Sequence, residues 1–169
     1  GGNSTLSGSG AIAGSIQLNN SIDYNPKYKW EIDWIKGSFG LENQSFSYRF
    51  GNKKTALHIQ YLNSESQNDY EYINIGLPNS PLEINEHAIK SGKQYILNYG
   101  YQNKKNQIGF NFWQSNNFRE VPVGMLSNNP QAKQLDDALR AKFFYKQIGA
   151  NHKLELIYAF LEEDFRYIS

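Results

Sequence analysis

The chain has 169 residues, with 17 basic and 16 acidic side chains, a net charge of +1 and no cysteine. That excludes a disulfide framework, a thiolate metal site and the basic stripe that nucleic acid requires. Hydrophobic residues make up 39% and aromatics 15%, so the apolar content is strongly aromatic and suits surfaces that are dry on one side and wet on the other.

The first twenty residues read GGNSTLSGSGAIAGSIQLNN. This is a Gly/Ser-rich stretch closing on a short predicted strand, Ser15 to Leu18. The opening carries neither Met nor a charged-then-apolar signal, and the end, Phe165 to Ser169, has no evident stop; both termini read as cuts. A phosphate-cradling loop is one reading of Gly8, Gly10 and Gly14. Their spacing is one residue too long for the dinucleotide fingerprint, and no strand precedes them nor helix follows.

Alternation with period two then dominates. Tyr28, Trp30, Ile32 and Trp34 alternate with Lys29, Glu31 and Asp33. The pattern recurs at Phe46–Phe50, Leu57–Tyr61, Tyr95–Tyr101, Ile108–Phe112, Leu139–Tyr145 and Leu154–Phe160. It predicts about seven strands, each able to reach the roughly 9–11 residues of a tilted membrane strand. Phe39 and Leu41 are odd-numbered while Phe46 to Phe50 are even. A bulge near Asn43 would repair that register; a short turn before Phe46 is the alternative. No apolar run approaches the roughly 20 residues of a membrane helix.

The connections carry more information. Lys36-Gly37-Ser38, Gly51-Asn52-Lys53, Asn103 to Asn106 and Gly149-Ala150-Asn151 read as short turns. Ser64 to Gly92 and Ser115 to Asp136 read as long loops, the second with Pro122 and Pro130. Both long connections are odd-numbered in a meander, which puts them at one end of the sheet. That is the asymmetry of outer-membrane barrels. Loops of this length are uncommon in compact domains unless functional. Gln131 to Ala141 could be helical; its charge pattern equally suits a loop descending into the next strand, and that reading is preferred.

Leu6, Gly8, Ser9, Gly10, Ala11, Ile12, Gly14 and Ile16 resemble the C-terminal end of the plug domain of TonB-dependent outer-membrane receptors, where G-S-G-A-I-G-G-V-I precedes the first barrel strand. Here Ser7, Ala13 and Ser15 replace a usual aromatic, glycine and valine. Asn68-Asp69-Tyr70-Glu71-Tyr72-Ile73-Asn74 and Phe118-Arg119-Glu120-Val121-Pro122 are similar to loop segments of the vitamin B12-receptor-like members. Ala132 to Arg140 resembles the stretch leading into the following strand. The resemblance implies plug end at residues 1–20, barrel wall at 21–169, and a parent barrel of about 22 strands. It further implies ligand-gated uptake of a scarce nutrient, such as cobalamin or an iron chelate, at the outer membrane of a Gram-negative bacterium, in contact with outer-membrane lipid. Coupling to the TonB complex would pass through a plug segment absent from these residues. Tyr70, Tyr72, Phe118 and Arg119 are the outer-loop candidates for ligand contact.

Other chemistry has little to stand on. His58, His87 and His152 lie at no metal-ligand spacing, and no cofactor is expected. His58 would face inward, and His152 lies at a turn. Asp136-Asp137 and Glu162-Glu163-Asp164 could bind calcium or do acid/base work. Adjacent acids on a strand diverge, so solvated loop ends are the plainer reading. No nucleophile elbow or Cys/His pair supports an enzyme. In a membrane barrel, Trp30, Trp34, Tyr99, Tyr101, Tyr145 and Tyr158 would serve at the bilayer interfaces. In a soluble sheet the same residues would be core. The expectation is an all-β antiparallel up-and-down meander of about seven strands, a partial segment of a transmembrane β-barrel. A secreted or surface carbohydrate-binding module is the alternative, and a plain diffusion porin a third.

Overall fold

The computed structural model describes residues 22, 24, 28–85, 87–121 and 132–168. Among them every regular element is a β-strand: β1 Lys29–Lys36, β2 Glu42–Gly51, β3 Thr55–Ser66, β4 Glu71–Ile73, β5 Leu82–Ile84, β6 Lys90–Gln102, β7 Asn106–Glu120, β8 Lys133–Ile148 and β9 Lys153–Ile168. Seven of them form one sheet in the order β1-β2-β3-β6-β7-β8-β9, and β4 pairs with β5 as a separate hairpin. All pairings are antiparallel. The fold is therefore all-β, and the main sheet is the expected meander. Among the described residues the sheet does not close, and β1 and β9 each pair on one side alone.

The pairings put the alternating apolar residues of all seven strands on one face. Trp30 opposes Tyr48, Tyr48 opposes Ile59, and Ile59 opposes Leu97. The row continues through Phe112 and Ala141 to Phe160. The other face is mostly polar: Arg49, His58, Asn98, Asn111 and Lys142 stand in register across it. Among the described residues only Ala56 and Ala88 are buried hydrophobic side chains. Trp30 and Trp34 remain 68% and 65% exposed. Among the described residues nothing covers the apolar face of the sheet.

The three connections at one end are tight. Asn52 Oδ1 accepts from the backbone N–H groups of Lys54 and Thr55, both at 2.8 Å. Asn103 repeats this with Lys105 and Asn106 at 2.9 and 2.8 Å. An asparagine side chain thus satisfies the backbone donors of the turn, the reason Asn is favoured there. We call this the turn end. The two long connections lie together at the other, the loop end, as the parity of loop lengths predicts.

Several expectations need correction. No bulge occurs near Asn43: the β1–β2 register runs unbroken from Lys36↔Glu42 to Lys29↔Arg49. The parity change falls in the turn between them, where Gly37 N donates to Leu41 O at 2.9 Å and Phe39 (φ 57) and Gly40 (φ 67) adopt left-handed backbone. The long connections are shorter than expected, because β3 runs on to Ser66, β6 starts at Lys90, β7 reaches Glu120 and β8 starts at Lys133. Gln131 to Ala141 is therefore neither helix nor loop from residue 133 onward. Glu162 to Asp164 do not end their strand, which continues to Ile168. The β4–β5 hairpin was not anticipated. The expected plug end at 1–20, with its strand at Ser15–Leu18, lies outside the described residues.

Candidate functional site

The polar face deepens at the loop end into a cleft of about 430 Å³. Ser64 and Ser66 of β3, Lys90, Ser91 and Gly92 of β6, Asn117, Phe118 and Arg119 of β7 and Asp136 of β8 line it, with Leu41 and Asn68 from the connections. Strand pairing places them: Ser64↔Gly92, Gly92↔Asn117 and Asn117↔Asp136 form one row. Ser66↔Lys90, Lys90↔Arg119 and Arg119↔Gln134 form the next. Gly92 keeps the floor open, since a Cβ there would lie 2.7 Å from Asn117 Oδ1.

Four neutral side chains of the cleft each donate within the chain. Ser64 Oγ donates to Asn43 Oδ1 at 2.6 Å, and Ser66 Oγ donates to Asn68 Oδ1 at 2.7 Å. Asn68 Nδ2 donates to the Ala88 carbonyl at 2.7 Å, and Asn117 Nδ2 to Ser115 Oγ at 2.8 Å. Arg119 donates from Nε to Gln134 Oε1 at 2.8 Å, and from Nη2 to the same oxygen. Gln134 Nε2 donates onward to Asp136 Oδ2 at 2.7 Å.

The first long connection is anchored above this cleft. The Phe39 carbonyl accepts from the N–H groups of Gln67 and Asn68 at 3.1 and 3.0 Å, and the Phe39 ring meets Tyr70 edge-on at 5.7 Å. Asn74, 2% exposed, folds the tip of the hairpin: its Nδ2 donates to Glu83 Oε2 at 2.9 Å and its Oδ1 accepts from Gly76 N at 3.0 Å. Tyr72 donates to the same Glu83 oxygen at 3.1 Å. The carboxylate holds that phenol proton and raises the Tyr72 pKa above its ordinary value.

The four sequence candidates are therefore not one constellation. Arg119 lines the cleft through its side chain. Phe118 lies on strand β7, not in a loop; it also borders the cleft, although alternation sets it in the other row with Ser91 and Leu135 as partners. Tyr70 packs on Phe39, and Tyr72 is bound to Glu83 within the hairpin. Sequence reasoning missed Lys90, Asn117 and Asn68. Lys90 and Asn117 carry a signal only once the register is known, because they sit beyond the apolar alternation.

A second depression of about 280 Å³ lies midway along the polar face, between Trp113, Arg140, Asn111 and Lys142. Arg140 stacks 4.8 Å over the Trp113 ring and is ion-paired to Glu163. Beside it, Asn111 Nδ2 donates to Asn98 Oδ1 at 2.7 Å, and Asn98 Nδ2 lies 3.3 Å from His58 Nδ1. The other ring nitrogen, His58 Nε2, is 3.5 Å from Ser47 Oγ. His58 is thus on the polar face and fully occupied by neutral partners. Among the described residues no group of three His, Cys, Asp or Glu could hold a metal ion.

No family model matches the sequence, and a comparison with curated proteins yields no match.

Proposed function

We propose that the chain is a stretch of the wall of a TonB-dependent receptor in the bacterial outer membrane. It contributes the loop-end cleft to ligand capture and carries out no bond chemistry. The observation that carries this reading is the uncovered apolar face. On β6, Tyr95, Leu97, Tyr99 and Tyr101 share that face, a belt about 20 Å tall at roughly 3.4 Å per residue. Outer-membrane barrels carry an outward apolar band of similar height, about 25 Å, edged by aromatics. Tyr61 and Tyr95, 5.2 Å apart, stand at the loop-side edge of the belt, and Tyr101 and Tyr145 at the other. A soluble sandwich needs a second layer over such a face, and the described residues supply none.

The belt also slants. Along one row of paired residues, Trp30 on β1 has Ile32 and Trp34 beyond it toward the loop end, whereas Phe160 on β9 is followed by Glu162 and Asp164. A flat apolar slab crosses strands in this way when they are tilted, as barrel strands are. The Gly-rich start, similar to a plug end, favours a gated receptor over an open pore. Seven strands are too few to close a barrel, whose usual minimum is about eight. The two free edges therefore call for further strands.

The absence of native cysteine makes the test clean. Single cysteines at positions 94 to 101 of β6, labelled with a fluorophore in lipid vesicles, are exposed to quenchers in water or in the acyl chains. Odd positions are expected to be quenched from lipid and even positions from water. Equal access from water at Leu97 and Asn98 would sink the membrane reading and favour a soluble binding module.

A further inference from the structure

We propose that the loop-end cleft binds a soluble multivalent anion, a carboxylate- or phosphate-bearing molecule, between Lys90 and Arg119. This names the ligand class of the proposed receptor site, and it rests on that reading only for the side from which the ligand arrives.

Lys90 and Arg119 are direct cross-strand partners on the polar face. Like charges placed opposite one another destabilise a sheet, so the pair is a cost in the unliganded fold. Nothing described offsets it. Among the described residues neither side chain reaches a carboxylate within salt-bridge distance. Asp136, the carboxylate lining the cleft, is engaged by the Gln134 amide. Arg119, which borders the cleft, meets only the neutral oxygen of Gln134, through Nε and Nη2, so its other guanidinium donors have no partner among the described residues.

The neutral side chains of the cleft are largely turned to one another. Ser64, Ser66, Asn68 and Asn117 each donate to another group of the chain. A glycan would need those hydroxyls and amides free. Those four side chains are thus partly committed, while Lys90 and Arg119 are the charged donors of the cleft with no carboxylate beside them, so charge weighs most in the choice of ligand. Paired N–H donors of Arg match a carboxylate or phosphate edge, and Lys adds a point charge beside it. A cleft of about 430 Å³ accepts a molecule larger than a single oxyanion.

The test uses the full-length protein carrying this chain, purified in detergent and titrated calorimetrically at low ionic strength. The probes are citrate, inorganic phosphate and, as the neutral comparison, maltose. Citrate is expected to bind more tightly than phosphate, and maltose not to bind. Lys90→Gln and Arg119→Gln should each weaken citrate at least about tenfold, and the double variant should abolish binding with strand content unchanged by circular dichroism. Arg119→Lys should restore part of the affinity. Glu86→Gln probes the chain's own carboxylate four positions before Lys90. Citrate binding that appears only in that variant would mean the site is filled internally, and would overturn the proposal. So would maltose binding as tight as citrate, citrate binding intact in the double variant, or a response to phosphatidylglycerol micelles but to neither soluble anion. The quencher pattern on β6 reads the membrane proposal separately, so the two can fail independently.

Discussion

The two faces of the main sheet are made by the same strands and joined by the same ladder, but their side chains ask different things of their surroundings. On the apolar face, Ile59, Leu97 and Phe112 need only a dry neighbour, and one apolar side chain would serve about as well as another. On the polar face several residues are answered by particular partners. Ser47, His58, Asn98 and Asn111 form a chain across four strands, and Phe144 lies over the bare backbone of Gly109. One face is specified by composition and the other by pairing, so their responses to substitution should differ in kind.

The largest effect should separate neighbours in sequence. Leu97→Arg puts a charge at the middle of the belt and should cost about 2–4 kcal/mol of folding stability in a bilayer. Ile96→Arg, on the polar face opposite Trp113, should cost about 1 kcal/mol or less. Urea titrations of the two variants in lipid vesicles measure both, and equal losses would erase the distinction between the faces. Gly109→Ala tests pairing on the polar face. Its Cβ would lie 2.1 Å from Phe144 Cε1, and such overpacking costs about 1–3 kcal/mol. Phe144→Ala in the same molecule should recover part of that loss, which the matching double-mutant cycle would reveal. Asn98→Ala, which strips partners from both His58 and Asn111, should cost about 1 kcal/mol in the same titration; no loss would mean that the chain of amides is incidental.

The smallest effect lies off the main sheet. The Tyr72 phenol is raised above its ordinary pKa by the Glu83 carboxylate that accepts its proton. The raised value favours the neutral phenol in the fold. Its contribution is therefore present below the unfolded tyrosine pKa, about 10, and is lost as pH rises through the folded value. Tyrosinate absorbance should show one late-titrating group that returns to the ordinary range in Glu83→Gln; an unchanged titration would refute the assignment.

Much of the meander is legible in the sequence because period-two alternation is a direct consequence of pleating. What alternation locates, however, is the apolar belt and not the strand. On β7 the alternation ends at Phe112, yet the ladder continues to Glu120. Ser115, Asn116 and Asn117 are polar on both faces and read as loop, although the backbone does not change there. That is why Phe118 and Arg119 were expected in a loop, and why Lys90 was overlooked. The β4–β5 hairpin is only three residues per strand, too short for a periodic signal, and it depends on the side-chain bonds of Asn74 and Glu83. Of the two explanations for the parity change after Leu41, the turn holds and the bulge at Asn43 does not, because Phe39 and Leu41 belong to the β1–β2 turn and their parity says nothing of the strand.

The two asparagine turns have one more consequence. Asn52 and Asn103 are each followed by a pair of lysines, Lys53-Lys54 and Lys104-Lys105, and none of the four takes part in an ion pair among the described residues. On the membrane reading these ammonium groups act as a vertical stop. Drawing one into hydrocarbon costs roughly 2.5–3.5 kcal/mol, and the rigid turns leave them little slack. A pull on the wall toward its loop end would be resisted at once by all four, so its depth in the lipid would be set like that of a nail by its head.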